Sequence, residues 1–303
     1  MCNRFLTAKQ DQLDVGEITV HTWNKHKITC DKIVKQFGKN RLVIDLASED
    51  FEALRKAISK NCNLVTIGSD ITRVRVVFKY AYDSGLIDRP LRYGPQFKRP
   101  SKKAMRIERS KQLPRLFEAV DIYRILQEAT PSLHAMILLA INCGFGNADC
   151  ATLTIHSIDL QAGWINFPRP KTGINRRCPI WKETAQSLTA ILAKRKTPKD
   201  ELHKEYVFIT KAGGSFSKDT PDNPISKEFT KLLTALGLRQ KFRGFYSLRH
   251  TFRTIADESH DQPACDALMG HARDDMASIY RERIGDSRLL AVSNYVRAWL
   301  FST

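Results

Sequence analysis

Residues 246–284 read YSLRHTFRTIADESHDQPACDALMGHARDDMASIYRERI. Arg249 and His250 fall at the start of a helical stretch, His271 follows Met269-Gly270, and Tyr280 lies nine residues after His271. Taken singly, a helical Tyr packs, a Lys or Arg is solvated, and a His after Gly caps a helix. The spacing of the set argues for shared chemistry. Upstream, Trp164-Ile165-Asn166-Phe167 reads as a strand and residues 177–180 as its hairpin partner, with PKTGINR between them as the turn. Lys171 sits in that turn.

Around this hairpin the chain is mostly helix. Residues 5–15 and 19–37 carry apolar positions at three- and four-residue intervals, and FGKN then breaks the pattern. A third helix is expected from Ser48, where S-E-D-F places a cap and acidic residues at the positive helix end, with Phe51, Leu54 and Ile58 as its buried stripe. A fourth, at 67–83, interleaves Arg73, Arg75 and Lys79 with apolar positions. The stretch 88–116 has weak periodicity, four prolines and a dense set of cations (Lys98, Arg99, Lys102, Lys103, Arg106 and Arg109 among them). It reads as an extended basic linker that tracks phosphates. Beyond it, helices are expected at 121–128, 132–142, 148–152 and 183–194, a strand at 206–209, and helix through most of the remainder, including an amphipathic tail at 286–301. That tail either packs on its own domain or docks on a neighbouring protomer. The division is 1–87, 88–116 and 117–303, and the class is mainly α with a small antiparallel sheet (α+β).

The charge balance narrows the partner. Forty-nine Lys and Arg against 32 Asp and Glu give a formal +17 over 303 residues, an excess that suits a polyanion such as double-stranded DNA. The longest apolar stretch, at 134–145, is too short to span a bilayer, so no membrane partner is expected. The opening MCNRFLTAKQDQ has no apolar core of a secretory signal. Seven cysteines with no C-x-x-C pair read as reduced, buried thiols without zinc, in a cytoplasmic, nucleoid-associated protein.

The motifs together resemble the tyrosine recombinases, or phage-type integrases. That family writes its second box H-x-L-R-H, then L-G-H, then Tyr nine residues later, and carries a hairpin K-T-G-x-x-R-x-V-P-L. Here Lys171-Thr172-Gly173-Ile174-Asn175-Arg176-Arg177-Cys178-Pro179-Ile180 stands at the hairpin. The resemblance covers nearly the whole chain. It implies an all-helical core-binding domain, then a catalytic domain of the DNA breaking-rejoining fold. It also implies site-specific recombination or integration of a mobile element by a tetramer on DNA, with no metal or nucleotide cofactor.

Carried over position by position, Tyr280 would attack the phosphodiester to give a 3′-phosphotyrosyl link and a free 5′-hydroxyl. Lys171 would protonate the leaving oxygen. Arg249 and His271 would hold the phosphate oxygens as charge builds on them. Two positions depart from the family. The first box, T-G-x-R-x-x-E-x-x-x-L, stands here as CGFGNADCATL at 143–153, with Gly144, Asp149 and Leu153 in place but Gly146 where the first catalytic Arg belongs. Tyr246 replaces the first His of H-x-L-R-H. A phenol is a poor general base at neutral pH, though it can donate a hydrogen bond to phosphate. Two outcomes are therefore open: a catalytically weakened DNA binder, or rescue of the lost guanidinium by Arg169, two residues before Lys171 and on the same face of a strand, with Arg176 as second candidate.

Overall fold

The computed structural model describes residues 1–60, 62–218, 223–272, 276, 280 and 282–302. The chain divides into two units, Met1–Leu113 and Pro114–Thr303.

The first unit is helical: α1 (Cys2–Asp14), α2 (Val20–Phe37), α3 (Ser48–Ser59), α4 (Leu64–Asp83) and α5 (Lys102–Ser110). Its helix starts follow local chemistry. The side chains of Thr19 and Asn63 accept from the backbone N–H groups of Thr22 and Thr66, satisfying donors that the helix itself leaves unpaired. At α3 the cap residue is Ala47 rather than Ser48, and the Asp50 carboxylate reaches back 3.0 Å to the Ala47 N–H. Phe51, Leu54 and Ile58 are buried as the periodicity implies, and Phe51 sits edge-on to Phe78 at 5.4 Å.

The stretch expected as an extended linker is largely built into this unit. Phe97 is fully buried in its core, and α5, capped by Ser101, runs through the most basic part. Helix α5 buries none of its residues, which is why hydrophobic periodicity does not reveal it.

The second unit contains α6 (Ala119–Glu128), α7 (Pro131–Asn142), α8 (Asn147–Thr152), strands β1 (Ile158–Asp159), β2 (Trp164–Asn166) and β3 (Arg177–Pro179), then α9 (Lys182–Ala193), α10 (Pro224–Ala235), α11 (Tyr246–Asp257), α12 (Gln262–Met269) and α13 (Asp286–Phe301). Residues 135–142 of α7 are all buried, so this helix is the post around which α9, α11 and α13 pack. The sheet is antiparallel in the order β1-β2-β3, with Ile158 opposite Ile165 and Ile165 opposite Cys178. The expected strand at 206–209 is not a strand. Val207 and Phe208 are buried, but the segment makes only single bridges, Thr154 to Tyr206 and Ile209 to Ser215.

Helix α13 packs on its own unit. Leu289, Val292, Val296 and Leu300 are buried, and Ser293 joins a closed polar network. The Asn142 amide donates to Pro179 O and to Ser293 Oγ, both at 3.0 Å, and accepts the Trp181 N–H at 2.9 Å. The Trp181 indole N–H reaches Ser293 Oγ at 2.8 Å. No helix among the described residues is long and apolar enough to cross a membrane.

Candidate active site

Three elements converge at the C-terminal end of α12. The first is the β2–β3 turn. Arg169 N–H donates to Ile174 O and Gly173 N–H donates to Arg169 O, both at 2.8 Å, so the chain doubles back between them. The second is the N-terminal turn of α11, which brings in Tyr246 and Arg249. The third is Gly270, which ends α12 in the left-handed region (φ +61°) and delivers His271.

Gly270 is required for space as well as for conformation. A Cβ there would lie 2.8 Å from Arg176 Cδ and 2.9 Å from Arg169 Cβ. Its carbonyl accepts from Arg169 Nη1 and from Thr172 Oγ1, each at 3.2 Å, which ties the tip of the hairpin to the end of α12.

Arg249 is 1% exposed. Its guanidinium donates to the carbonyl of Gly144, to Met269 O at 2.8 Å and to His271 Nε2 at 2.9 Å, while its buried Nε has no partner in the protein. Among the described residues no carboxylate is hydrogen-bonded to it, and the nearby Asp149 charge favours its protonated form. Burial, reinforced by the neighbouring Arg169 charge, brings its pKa down to about 10, so it stays protonated at neutral pH. A guanidinium has no lone pair to offer, so His271 Nε2 is the acceptor in that contact and the ring proton sits on Nδ1, which faces Asp266 Oδ1 at 3.6 Å. Burial, then the charges of Arg249 and Arg169, push the His271 pKa below the ordinary imidazole value.

Arg176 is used differently. Its Nη2 meets Asp149 Oδ1 at 2.8 Å with no side-chain exposure, its Nε donates to Phe167 O at 3.1 Å, and its guanidinium lies 4.3 Å from the Phe145 ring centroid. The other oxygen of Asp149 accepts the Gly146 N–H at 2.6 Å. Asp149 therefore pins the 144–146 loop to the hairpin, and Arg176 serves as a strut.

The remaining sequence-derived residues fall as follows. Lys171 is exposed in the turn at 170–172, while Arg169 is 8% exposed, so the two do not share a strand face; the strand ends at Asn166 and the chain turns before Lys171. Tyr280 is 80% exposed. Tyr246 is 45% exposed, with its ring against Gly146 on one side and edge-on to His250 at 5.4 Å on the other.

In the first unit, Arg73 is bound to Asp70 and, at 3.3 Å, to Thr29 Oγ1; Arg75 donates to Phe97 O at 2.5 Å; and Lys79 meets Asp83 at 2.6 Å. Lys98, Arg99, Lys102, Lys103, Arg106 and Arg109 are exposed. Sequence reasoning missed Thr172 and Asp266. The only available signals were their places, next to Lys171 and five residues before His271.

The phage integrase family model matches residues 108–284, more than half of the chain. No curated protein matches the sequence at a significant level. Among solved structures, the chain is similar to the Tn1549 transposon integrase in complex with transposon right end DNA (16% identity, TM-score 0.68, 97% of this chain and 98% of that one). It is also similar to a lambda integrase dimer bound to a COC′ core site (15%, 0.66, 94% and 98%). A third likeness is to the XerH site-specific recombinase bound to difH substrate (17%, 0.63, 88% and 77%). At these identities the likeness is one of fold, and it agrees with helices surrounding one small antiparallel sheet. From the matched family model, the chain belongs to the phage integrase family, the tyrosine recombinases.

Proposed function

We propose that this chain is a site-specific DNA recombinase that cuts and rejoins DNA through a 3′-phosphotyrosyl intermediate and acts as a homo-tetramer on DNA. The observation that carries the reading is the buried pair Arg249 and Arg169, whose hydrogen bonds go to backbone carbonyls and an imidazole rather than to carboxylates. Asp149, already paired with Arg176, favours the Arg249 charge from nearby, and a buried cluster of cations sharing one carboxylate is relieved further by an anion.

In the proposed reaction Tyr280, exposed to solvent, gives its phenol proton to water and attacks phosphorus in line. A Tyr oxygen–phosphorus bond forms as the bond to the 5′-oxygen breaks, and Lys171 gives that oxygen its proton. Arg249 and Arg169 neutralise the charge that builds on the phosphate oxygens, so Arg169 stands in for the guanidinium absent at Gly146. The phosphate charge raises the proton affinity of His271, and the protonated Nε2 then donates to it. Asp149 and Arg176 position the loop and hairpin.

Two adjoining cavities of about 690 and 760 Å³, sharing Ser226, Thr230 and Arg239, also support a DNA partner. Arg115, Lys241 and Arg243 line the first and Lys227 and Lys231 the second, with no acidic residue among the described lining residues. The exposed cations of α5 and the 98–99 segment provide phosphate contacts, so binding falls steeply with salt.

Gly146 and Tyr246 favour a second reading, a DNA-binding member of the family with weakened cutting. Covalent trapping separates the two. Wild type and Tyr280→Phe are incubated with supercoiled or nicked DNA and denatured. An adduct in wild type only is expected; salt-sensitive binding without an adduct selects the second reading.

A further inference from the structure

The two departures from the family pattern, a hundred residues apart in sequence, touch. A Cβ built on Gly146 would lie 3.0 Å from Tyr246 Cε2, 3.2 Å from Tyr246 Cδ2 and 3.2 Å from Asp149 Oδ2. The backbone of Gly146 is extended, with φ −102° and ψ −176°, a conformation open to any residue. Conformation does not demand glycine here; what a side chain would meet is crowding by Tyr246 and Asp149. The loop itself is held, because Asp149 grips the Gly146 N–H at 2.6 Å and is held in turn by Arg176. The Tyr246 ring is the member that can give way, being half exposed at the first position of α11 with His250 against its other face.

We propose that Gly146 and Tyr246 are a single functional unit: the ring of Tyr246 crowds the space a side chain at position 146 would need, so that one can enter only if the ring shifts, and its hydroxyl is the hydrogen-bond donor offered to the scissile phosphate at that corner of the site. Tyr246 and Arg249 are three residues apart on α11, so both project to one side of the helix. A bare Gly146 leaves room for the ring beside the loop. This inference rests on the recombinase reading for the role of the hydroxyl, but not for the steric exclusion.

Thermal unfolding of the full chain tests the exclusion. Gly146→Ala, Tyr246→Ala and the double variant form a cycle. Gly146→Ala is expected to lower Tm by roughly 2–4 °C when Tyr246 is present. In the Tyr246→Ala background it is expected to leave Tm unchanged or raise it. Equal shifts in both backgrounds overturn the exclusion.

Adduct formation on supercoiled DNA tests the hydroxyl. Tyr246→Phe keeps the ring and is expected to slow adduct formation about 10²-fold, the scale for losing one donor to a developing oxyanion. An unchanged rate overturns that role. Gly146→Arg alone is expected to reduce the rate by displacing Tyr246, and Gly146→Arg with Tyr246→His to exceed Gly146→Arg at least tenfold. A double variant no faster than the single one overturns the coupling. Absence of any wild-type adduct rejects the recombinase reading, and the hydroxyl's role with it, while the thermal cycle still decides the exclusion.

Discussion

Each unit buries one carboxylate among cations, and the two use it in opposite ways. Asp70 in the first unit, 3% exposed, is shared by Lys32 at 2.5 Å and by Arg73, and the two cations keep 35% and 24% of their side chains in solvent. Asp149 in the second unit, 6% exposed, is matched to the buried Arg176, while Arg249 and Arg169 beside it bond, among the described residues, to carbonyls and an imidazole. A guanidinium satisfied by a carboxylate is a strut. One satisfied by carbonyls keeps its charge for something that arrives later.

Removing the two carboxylates should separate these roles most sharply. Asp149→Ala leaves Arg176 charged and buried without a counter-ion and is expected to cost about 3–5 kcal/mol. Asp70→Ala leaves cations that can turn to water, and a loss of roughly 1–3 kcal/mol is expected. Urea unfolding of both variants measures the gap, and near-equal losses would erase the distinction. Next in size is Arg169→Ala. If this guanidinium replaces the one missing at position 146, adduct formation drops about 10²–10³-fold while DNA affinity changes little. Full cutting with normal binding would return Arg169 to a purely structural role.

The smallest effect is on pH dependence. His271 titrates below the ordinary imidazole value in the folded chain, as do His26 and His134, chiefly through burial. The unfolded chain therefore binds more protons in the window between the folded and ordinary values, so stability falls as pH falls through it, beginning near pH 6.5. His271→Gln should flatten that fall by one group's share, read as Tm against pH. An unchanged slope would mean that burial and the Arg249 and Arg169 charges together do not hold the His271 proton off.

Much of this was legible in the chain because it is local. The helix start at Thr19, the apolar stripe of α3 and the Trp164–Asn166 hairpin strand all follow from residues within a few positions of each other, whereas the fourth helix, expected from 67, begins at Leu64 behind an Asn63 cap. Segments whose order comes from distant partners were not legible. Val207 and Phe208 look like a strand because they are apolar, yet their burial is tertiary and their backbones have little to pair with. Helix α5 is nine residues long, sits among prolines and cations, and buries none of its few apolar residues, so the basic stretch read as a linker. At the site, residue identities and spacings could be read directly. The contact between Tyr246 and Gly146, and the division of labour among Arg169, Arg176 and Arg249, depend on a fold that brings residues 146, 169 and 249 together.

The polar network of Asn142, Trp181 and Ser293 acts on the proposed nucleophile as a mooring. It fastens α13 to α7 and to the chain leaving β3, and Tyr280 lies six residues ahead of the first residue of that helix. Six residues of fully extended chain reach roughly 20 Å. With α13 moored, Tyr280 serves only a phosphate inside that radius. Delivery to a phosphate held farther off by a second copy would first have to cast off the helix and break the hydrogen bonds among Asn142, Trp181 and Ser293.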